Sequence, residues 1–216
     1  MTIPPIPTIA LIVASTQSVR FADLPLGWLT DRLSARDDLA LSVLDLREHP
    51  LPFYDRPTPP AKLARAYSDD RERRLGELLD AADGYLVLTN EFNHGYSAAL
   101  KNTLDHYFAE FRRKAMGFVG YGNVGGSRAI EQLRQVAAEL EMVSTRHALH
   151  IMGPQMQQIR SDELIAHAVF ESLDDRLDTV VTDLVWWADA LRRARNGEAG
   201  GGAERGPAVS AGRRGM

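Results

Sequence analysis

The sequence predicts a doubly wound α/β fold, in which a five-stranded parallel sheet of order 2-1-3-4-5 lies between two helical layers. Short apolar runs rich in β-branched residues alternate with longer segments whose apolar residues recur at helical spacing. The runs are apolar throughout rather than on alternate residues, which is typical of parallel strands buried on both faces. Five such units fit a single domain in a chain of 216 residues.

The first half of the chain holds two strand–helix units. TIALIVA, residues 8–14, suits a strand at the centre of the sheet, and residues 21–36 have the apolar spacing of a helix. A second strand is predicted over 39–46. The proline-rich segment 48–60 predicts a loop, because proline breaks both regular structures. A charged segment with spaced leucines predicts a helix over 62–82.

The second half continues the alternation. GYLVLT, residues 84–89, predicts a third buried strand, and the next segment, 96–111, has one apolar face and predicts a helix. The fourth strand is predicted over 114–122 and is followed by a helix over 126–141. The fifth strand is predicted over 142–152.

The last predicted helix and the two ends of the chain set the expected bounds of the domain. Residues 162–194 predict one long terminal helix with room for a single break, and Asp162 is placed to cap it. We therefore expect a domain over 8–195 with an N-terminal extension at 1–7. Residues 196–216 are rich in Gly, Ala and Arg and predict a disordered tail.

Composition excludes several classes of function. The chain has no cysteine, which removes disulfides, thiolate catalysis and Cys-based metal sites. The net charge of −4 gives no reason to expect nucleic acid as a partner. The six histidines are scattered without a zinc-binding pattern, so we expect no metal. No signal peptide or membrane span is evident, and we expect a cytoplasmic protein.

The predicted topology specifies where a ligand should bind. In doubly wound sheets ligands bind beyond the carboxyl ends of the strands, at the point where the strand order reverses. Here that point lies between the first and third strands. The loops after Ala14, Thr89 and Tyr121 should therefore carry the binding residues.

Loop 1, residues 15–20, has the character of a phosphate site. Ser15, Gln17, Ser18 and Arg20 offer hydroxyl, amide and guanidinium groups beside the backbone N–H groups of a helix start. The loop lacks the Gly and Lys of a nucleoside triphosphate loop, and it lacks G-x-G-x-x-G, so a phosphate monoester is favoured. A simple helix cap by Ser15 or Ser18 is the alternative.

Loops 3 and 4 suit a flat ligand with polar edges. Loop 3, residues 89–95, reads TNEFNHG and could pair with such edges; the alternative is a helix-capping turn with Asn93 as the cap. Loop 4, residues 120–128, reads GYGNVGGSR, and its glycines allow close approach of the backbone. A loose connection is the alternative. Together, the three loops favour a flavin-like mononucleotide.

Three segments resemble the NADPH-dependent FMN reductase family, whose flavodoxin-like members include quinone and azo-dye reductases. They are IALIVASTQSVRF, YLVLTNEFNHGYSAALKNTLDHY and GFVGYGNVGGSRAIEQLRQVAAELEMV. The resemblance spans about residues 8–195 and is most specific at E-x-N followed by L-K-N-x-x-D. The chain departs from the family where Ala14 replaces Gly, Gln17 replaces Arg, and Asn90 and Phe92 replace Pro and Tyr.

The resemblance implies FMN as the cofactor and assigns residues to it. The phosphate would be held by Ser15, Gln17, Ser18 and Arg20, with Phe21 beside it. The implied residues around the flavin ring are Asn90, Glu91, Phe92, Asn93, His94, Tyr121, Gly122 and Gly125. The chemistry is flavin-centred, so no protein side chain is expected to be catalytic.

The implied activity is transfer of hydride from NADPH or NADH to FMN and onward to a quinone, azo compound or similar small acceptor. Two alternatives are a flavin reductase that supplies reduced FMN to a monooxygenase, and a flavodoxin-like binding module without turnover. The resemblance also implies a homodimer through the predicted helix 96–111. Its aromatic residues Tyr107, Phe108 and Phe111 could face the partner subunit, or they could face the sheet.

Overall fold

The computed structural model describes residues 6–198 and confirms the predicted sheet, with five parallel strands in the order 2-1-3-4-5. The strands are β1 (Thr8–Val13), β2 (Ala40–Asp45), β3 (Gly84–Asn90), β4 (Ala115–Tyr121) and β5 (Val143–Ile151). The helices are α1 (Asp23–Ser34), α2 (Asp70–Ala81), α3 (Ala98–His106), α4 (Ser127–Glu139), α5 (Gly153–Ser161), α6 (Glu163–Glu171) and α7 (Asp174–Arg195). The predicted tail begins at 196, and its residues 199–216, like residues 1–5, lie outside the described part of the chain.

The sheet buries both of its faces. β3 and β4 are buried at every residue, as their uninterrupted apolar sequences predict. Alternate side chains enter two separate cores. Ile9 and Leu11 pack with residues of α1 and α7, while Ala10 and Ile12 pack with residues of α2, α3 and α4. This alternation produces the predicted α/β/α layers.

Strand register brings the ends of the central strands to one edge. In the ladder between β1 and β3, Val13 lies opposite Leu88, and Val13 also lies opposite Asp45 at the end of β2. Between β3 and β4, Asn90 lies opposite Tyr121. The loops that follow β1, β3 and β4 therefore leave the sheet side by side, at the reversal point between β1 and β3.

Two predicted helices are too long. The segment 62–82 forms a helix only from Asp70, because Ala64 and Arg65 adopt positive φ angles of 46° and 62°, which no helix allows. Asp69 then caps α2 by accepting a hydrogen bond of 2.8 Å from the backbone N–H of Arg71. The segment 96–111 forms a helix only over α3.

The aromatic residues after α3 face the interior, which is the second of the two predicted orientations. Tyr107 and Phe111 are both 0% exposed. The Tyr107 ring packs edge-on against Tyr67, and its hydroxyl donates 2.8 Å to the carbonyl of Glu72. Since these rings are committed to the monomer's own core, the expectation that they form a dimer surface is wrong for Tyr107 and Phe111.

The predicted terminal helix, 162–194, is in fact α6 and α7, with the single break at residues 172–173. Asp162 caps α6 as expected, accepting hydrogen bonds from the N–H groups of Leu164 and Ile165. An additional helix, α5, precedes them. It begins at Gly153-Pro154, a proline in the first turn that signals a helix start. Within residues 6–198, no helix combines the length and apolarity needed to cross a membrane.

The proline-rich segment 48–60 is a loop, as predicted, and α3 holds it in place. Asn102 donates its side-chain amide to the carbonyls of Leu51 and Pro52, at 3.2 and 2.9 Å. The His106 ring contacts the same Pro52 carbonyl at 2.9 Å and the buried carboxylate of Glu72 at 2.7 Å. These contacts therefore hold residues 51–52 of the loop in a fixed position against α3.

Candidate functional site

Loop 1 presents a row of unpaired backbone donors. None of the N–H groups of residues 15–20 donates to a protein acceptor within residues 6–198. Thr16, Gln17 and Ser18 are exposed, whereas Ser15 is 1% exposed and its buried hydroxyl has no hydrogen-bond partner. Buried polar groups are rarely left unpaired, so this arrangement is a feature of sites completed by a ligand.

Arg20 fixes the conformation of loop 1 from the buried side of the loop. Its side chain is 1% exposed and forms a bidentate pair with Asp45, at 2.8 and 2.5 Å. It also donates to the Ser15 carbonyl and, at 2.8 Å, to Asp23. Four of its five N–H donors are thus used inside the protein. Direct contact of Arg20 with a phosphate stays a prediction, and the structure gives Arg20 an internal partner for its charge.

Loop 3 turns sharply at two residues. Asn93 and His94 adopt positive φ angles of 47° and 74°, as at the centre of a type I′ turn, and Phe92 and Gly95 exchange two backbone hydrogen bonds of 2.8 and 2.9 Å. The cap of α3 is Ser97 rather than Asn93. The Ser97 hydroxyl also donates 2.8 Å to the Ala14 carbonyl, which joins loop 3 to the end of β1.

Asn90 is the most informative side chain of loop 3. It is 4% exposed, and neither its amide nitrogen nor its amide oxygen has a hydrogen-bond partner within the described residues. It lies at the end of β3, opposite Tyr121. A carboxamide with a free donor and a free acceptor is suited to the edge of a heterocycle that offers one of each. Phe92, Asn93 and His94 lie exposed beyond it.

Glu91 is engaged by loop 4. Its carboxylate accepts 2.8 Å from the Arg128 guanidinium and 3.1 Å from the Arg128 backbone N–H in the first turn of α4. A carboxylate at this position is also stabilised by the positive end of the α4 helix dipole. The contact joins loops 3 and 4 across the two central strands and fixes the distance between them.

The glycines of loop 4 are required by the protein itself. Gly125 has φ of 64°, and an added Cβ would lie 2.6 Å from the Cβ of His150. The His150 ring contacts the Gly125 carbonyl at 2.8 Å. Gly122 differs, because its φ is 153° while an added Cβ would meet no atom closer than 3.6 Å. Of these two predicted site residues, only Gly122 could carry a Cβ without a steric clash, although its φ angle would strain any residue other than glycine.

Two aromatic residues connect loop 1 to the end of β4. The rings of Phe21 and Tyr121 lie 5.1 Å apart at an angle of 51°. Both residues are 5% exposed. Burial raises the pKa of Tyr121 to about 12. The nearby Ser15 hydroxyl, which does not reach Tyr121 with hydrogen-bond geometry, and the charges of Arg20 and Arg160 partly offset that rise. The phenol is therefore neutral at physiological pH and remains a hydrogen-bond donor.

The structure brings the predicted residues of loops 1, 3 and 4 to a common edge, and it adds partners that the sequence did not single out. Arg128 lies within the quoted segment GYGNVGGSR, so the motif contained it without indicating its role. Asp45 is a charged residue at the end of the apolar run LSVLD, and that position was its only signal. Ser97 and Arg160 carried no sequence signal that pointed to their contacts.

These features fit FMN. A phosphate monoester suits the unpaired N–H groups of loop 1, because such groups bind anions. The Ser15 hydroxyl and the Asn90 carboxamide are buried, polar and without protein partners, and they lie on the loops that a mononucleotide would span. Between the loops, Ser97, Glu91 and Arg128 fix the spacing.

Comparisons with known proteins point to the same cofactor. A family profile described as NADPH-dependent FMN reductase matches residues 7–155. A Schizosaccharomyces pombe protein named NAD(P)H-dependent FMN reductase is 32% identical over 136 residues, covering 63% of this chain and 68% of that protein. A Nectria protein named NAD(P)H-dependent FMN reductase is 32% identical over 139 residues, covering 62% of this chain and 68% of that protein.

The fold is similar to that of the solved flavoenzyme FerB, an NAD(P)H:(acceptor) oxidoreductase from Paracoccus denitrificans, with a TM-score of 0.61 and 18% identity over 82% of this chain and 99% of FerB. At that identity the likeness establishes the flavodoxin-like fold alone. The profile match, in contrast, covers more than half of the chain, including all three loops. The protein therefore belongs to the NADPH-dependent FMN reductase family, a family of enzymes that use FMN and a nicotinamide nucleotide.

Proposed function

We propose that this enzyme holds FMN across loops 1, 3 and 4 and transfers two electrons from NADPH or NADH to a small acceptor such as a quinone or an azo compound. The observation that carries the proposal is a pair of buried polar side chains without hydrogen-bond partners, Ser15 on loop 1 and Asn90 on loop 3. When bound, FMN supplies the redox chemistry, and the protein supplies binding and orientation.

The backbone of loop 1 is proposed to bind the phosphate. Its N–H groups belong to a segment that Arg20 clamps to β2, so the donors are fixed before the ligand arrives. Preorganised donors cost little entropy on binding. The hydroxyls of Ser15 and Ser18 and the amide of Gln17 complete this end of the proposed site, with Phe21 beside it.

Loops 3 and 4 are proposed to hold the ring. Asn90 offers its carboxamide to a polar edge, and the backbone N–H groups near Asn93 and His94 can stabilise negative charge there. Glu91 acts through Arg128, since their pairing positions loop 3 against α4. Phe92, 48% exposed, and Tyr121, 5% exposed, add apolar surface on either side.

The acceptor class is supported by relatives rather than by a pocket. A solved structure of similar fold is named NAD(P)H:quinone oxidoreductase, from Methanothermobacter marburgensis, with a TM-score of 0.56 and 12% identity, covering 79% of this chain and 97% of that one. FMN bound with one face of its ring open to solvent would let nicotinamide and acceptor use that face in turn, and no protein nucleophile would be required. Within residues 6–198, no group of three or more His, Cys, Asp or Glu is arranged to hold a metal.

The test is an assay of the purified enzyme with both coenzymes and three acceptors: a quinone, an azo dye and free FMN. Co-purified flavin with quinone or azo reduction supports the proposal. Oxidation of NADPH only when free FMN is added would replace it with the flavin reductase alternative. Failure to bind FMN at all would contradict the proposed function.

A homodimer is also proposed, on a surface different from the predicted aromatic one. Phe53 is 80% exposed and lies in the loop that Asn102 ties to α3. A single exposed apolar side chain is ordinary at a protein surface, so the proposed homodimer rests on the family resemblance, and Phe53 is the residue chosen to test it. Sedimentation of the wild type and of Phe53→Ser tests this: we expect a dimer that the substitution weakens, and a monomeric wild type would contradict the proposal.

A further inference from the structure

The charges around loop 1 cancel. Arg20 pairs with Asp45 and Asp23, and Arg47 lies 3.6 and 3.8 Å from the same two carboxylates. Two guanidinium groups thus face two carboxylates, and residues 15–19, STQSV, carry no charge. A phosphate monoester brings a charge close to −2. Loop 1 offers it hydrogen-bond donors but little net positive charge.

Arg160 brings a cation to the same place from a distant part of the chain. It lies near the end of α5, and its guanidinium carbon is 5.1 Å from the centroid of the Phe21 ring. Phe21 directly follows Arg20 and contacts Tyr121, on whose hydroxyl the Arg160 charge also acts. Within residues 6–198, Arg160 has no ion-pair or hydrogen-bond partner for its side chain.

The contact with Phe21 leaves the guanidinium available. A cation–π interaction orients the group without consuming its N–H donors and without neutralising its charge. Arg160 is exposed, so an incoming anion can reach it. Arg20 is the opposite case, because it is buried, paired with two carboxylates and uses four of its five N–H donors inside the protein. The two arginines therefore have different roles. Arg20 fixes the conformation of loop 1, and Arg160 provides an unpaired positive charge.

We propose that Arg160 is the phosphate-recognising cation of this site, pairing from α5 with the phosphate monoester of FMN held over loop 1. This inference rests on the proposed function. Arg160 lies outside residues 7–155, the part of the chain that matches the family profile.

The test compares the dissociation constants of FMN and riboflavin, which differ only in the phosphate, without any nicotinamide nucleotide present. Flavin fluorescence titrations would use the wild type, Arg160→Gln, Arg160→Lys and the control Arg176→Gln, which removes an exposed arginine of α7. Hydrogen bonds between charged groups are stronger than those between neutral groups. We therefore expect FMN affinity to fall about tenfold or more in Arg160→Gln, with partial recovery in Arg160→Lys.

Riboflavin affinity should change less than about twofold in every variant, and the salt dependence of FMN binding should weaken in Arg160→Gln alone. Unchanged FMN affinity in Arg160→Gln would overturn the inference. Equal losses for FMN and riboflavin would also overturn it, because Arg160 would then act by packing on Phe21. A wild type that binds neither flavin would instead contradict the proposed function itself.

Discussion

Arg20 and Asp45 form a buried bidentate pair, at 2.8 and 2.5 Å, that joins the loop after β1 to the last residue of β2. Asp45 is 25 residues away in sequence and is adjacent because the two strands pair in parallel register. The loop with the free N–H donors is therefore anchored by tertiary structure. Its shape should persist without a ligand.

Asp45→Asn should destabilise the enzyme by about 3 kcal/mol, because removing one partner of a buried pair leaves the other charge uncompensated. Burial opposes ionisation of Asp45, but Arg20, the Arg47 N–H and the Arg47 charge together lower its pKa. Denaturant titrations of the wild type and variant would measure the difference. Asp31→Asn, on the exposed face of α1, is the control.

The pH dependence of that difference has a defined sign. A carboxyl whose pKa is lowered on folding stabilises the native state above its unfolded pKa, about 3.9, and loses this contribution as pH falls through its folded pKa. The advantage of the wild type over Asp45→Asn should thus be full at neutral pH and shrink below about pH 4. An advantage that grew on acidification would contradict the assignment.

Ser15→Ala and Asn90→Leu should separate stability from binding. Each substitution removes a buried polar group that has no protein partner. The free energy of unfolding of the ligand-free enzyme should therefore stay unchanged or rise by about 1 kcal/mol. FMN affinity should fall at least about fivefold in each, since the same groups are proposed to meet the ligand. Thermal melts with and without FMN measure both effects. A variant that loses stability and keeps its affinity would show that the group serves the fold.

Glu91 and Arg128 should couple loops 3 and 4. Arg128 is partly exposed, so we expect a coupling energy of only about 1 kcal/mol in a double-mutant cycle of Glu91→Gln and Arg128→Gln. The same cycle applied to FMN binding should show non-additive losses, because either substitution releases the same contact. Strictly additive effects on both stability and binding would mean that the pair does not link the loops.

Lys114 gives a prediction at alkaline pH. Its ammonium is buried and donates to the carbonyls of Leu79 and Asp80 at the end of α2. Burial lowers its pKa to about 8. In the unfolded chain Lys114 keeps its proton to a higher pH than in the folded protein, so its deprotonation favours the folded state. The free energy of unfolding of the wild type should therefore rise by about 1 kcal/mol relative to that of Lys114→Met between pH 7 and 9. Parallel stabilities of the two proteins across this range would contradict the lowered pKa.

The sheet and the position of the site were predictable from sequence because both follow from local pattern. Apolar runs specify the strands, and the strand order determines which loops meet. The ends of helices were less predictable: Ala64 and Arg65 interrupt the second predicted helix through backbone angles that composition does not reveal. No element is predicted from the sequence over residues 153–161, although Gly153-Pro154 is a signal for the start of α5.

The partners of the site residues could not be predicted, because their contacts are non-local. Arg20 has the sequence character of a phosphate ligand, and only the packing of β2 beside β1 reveals Asp45 as its partner. Glu91 and Arg128 are 37 residues apart and meet because β3 pairs with β4. Periodicity and motif spacing contain no information about such pairs.

A crystal structure of the enzyme grown with FMN would show whether loops 1, 3 and 4 together hold the cofactor. We expect the phosphate to lie against the N–H groups of residues 15–20 and the flavin ring between Asn90 and Gly122, with Ser15 and Asn90 newly hydrogen-bonded. FMN bound elsewhere, or Ser15 and Asn90 still unpaired beside an empty edge of the sheet, would contradict it.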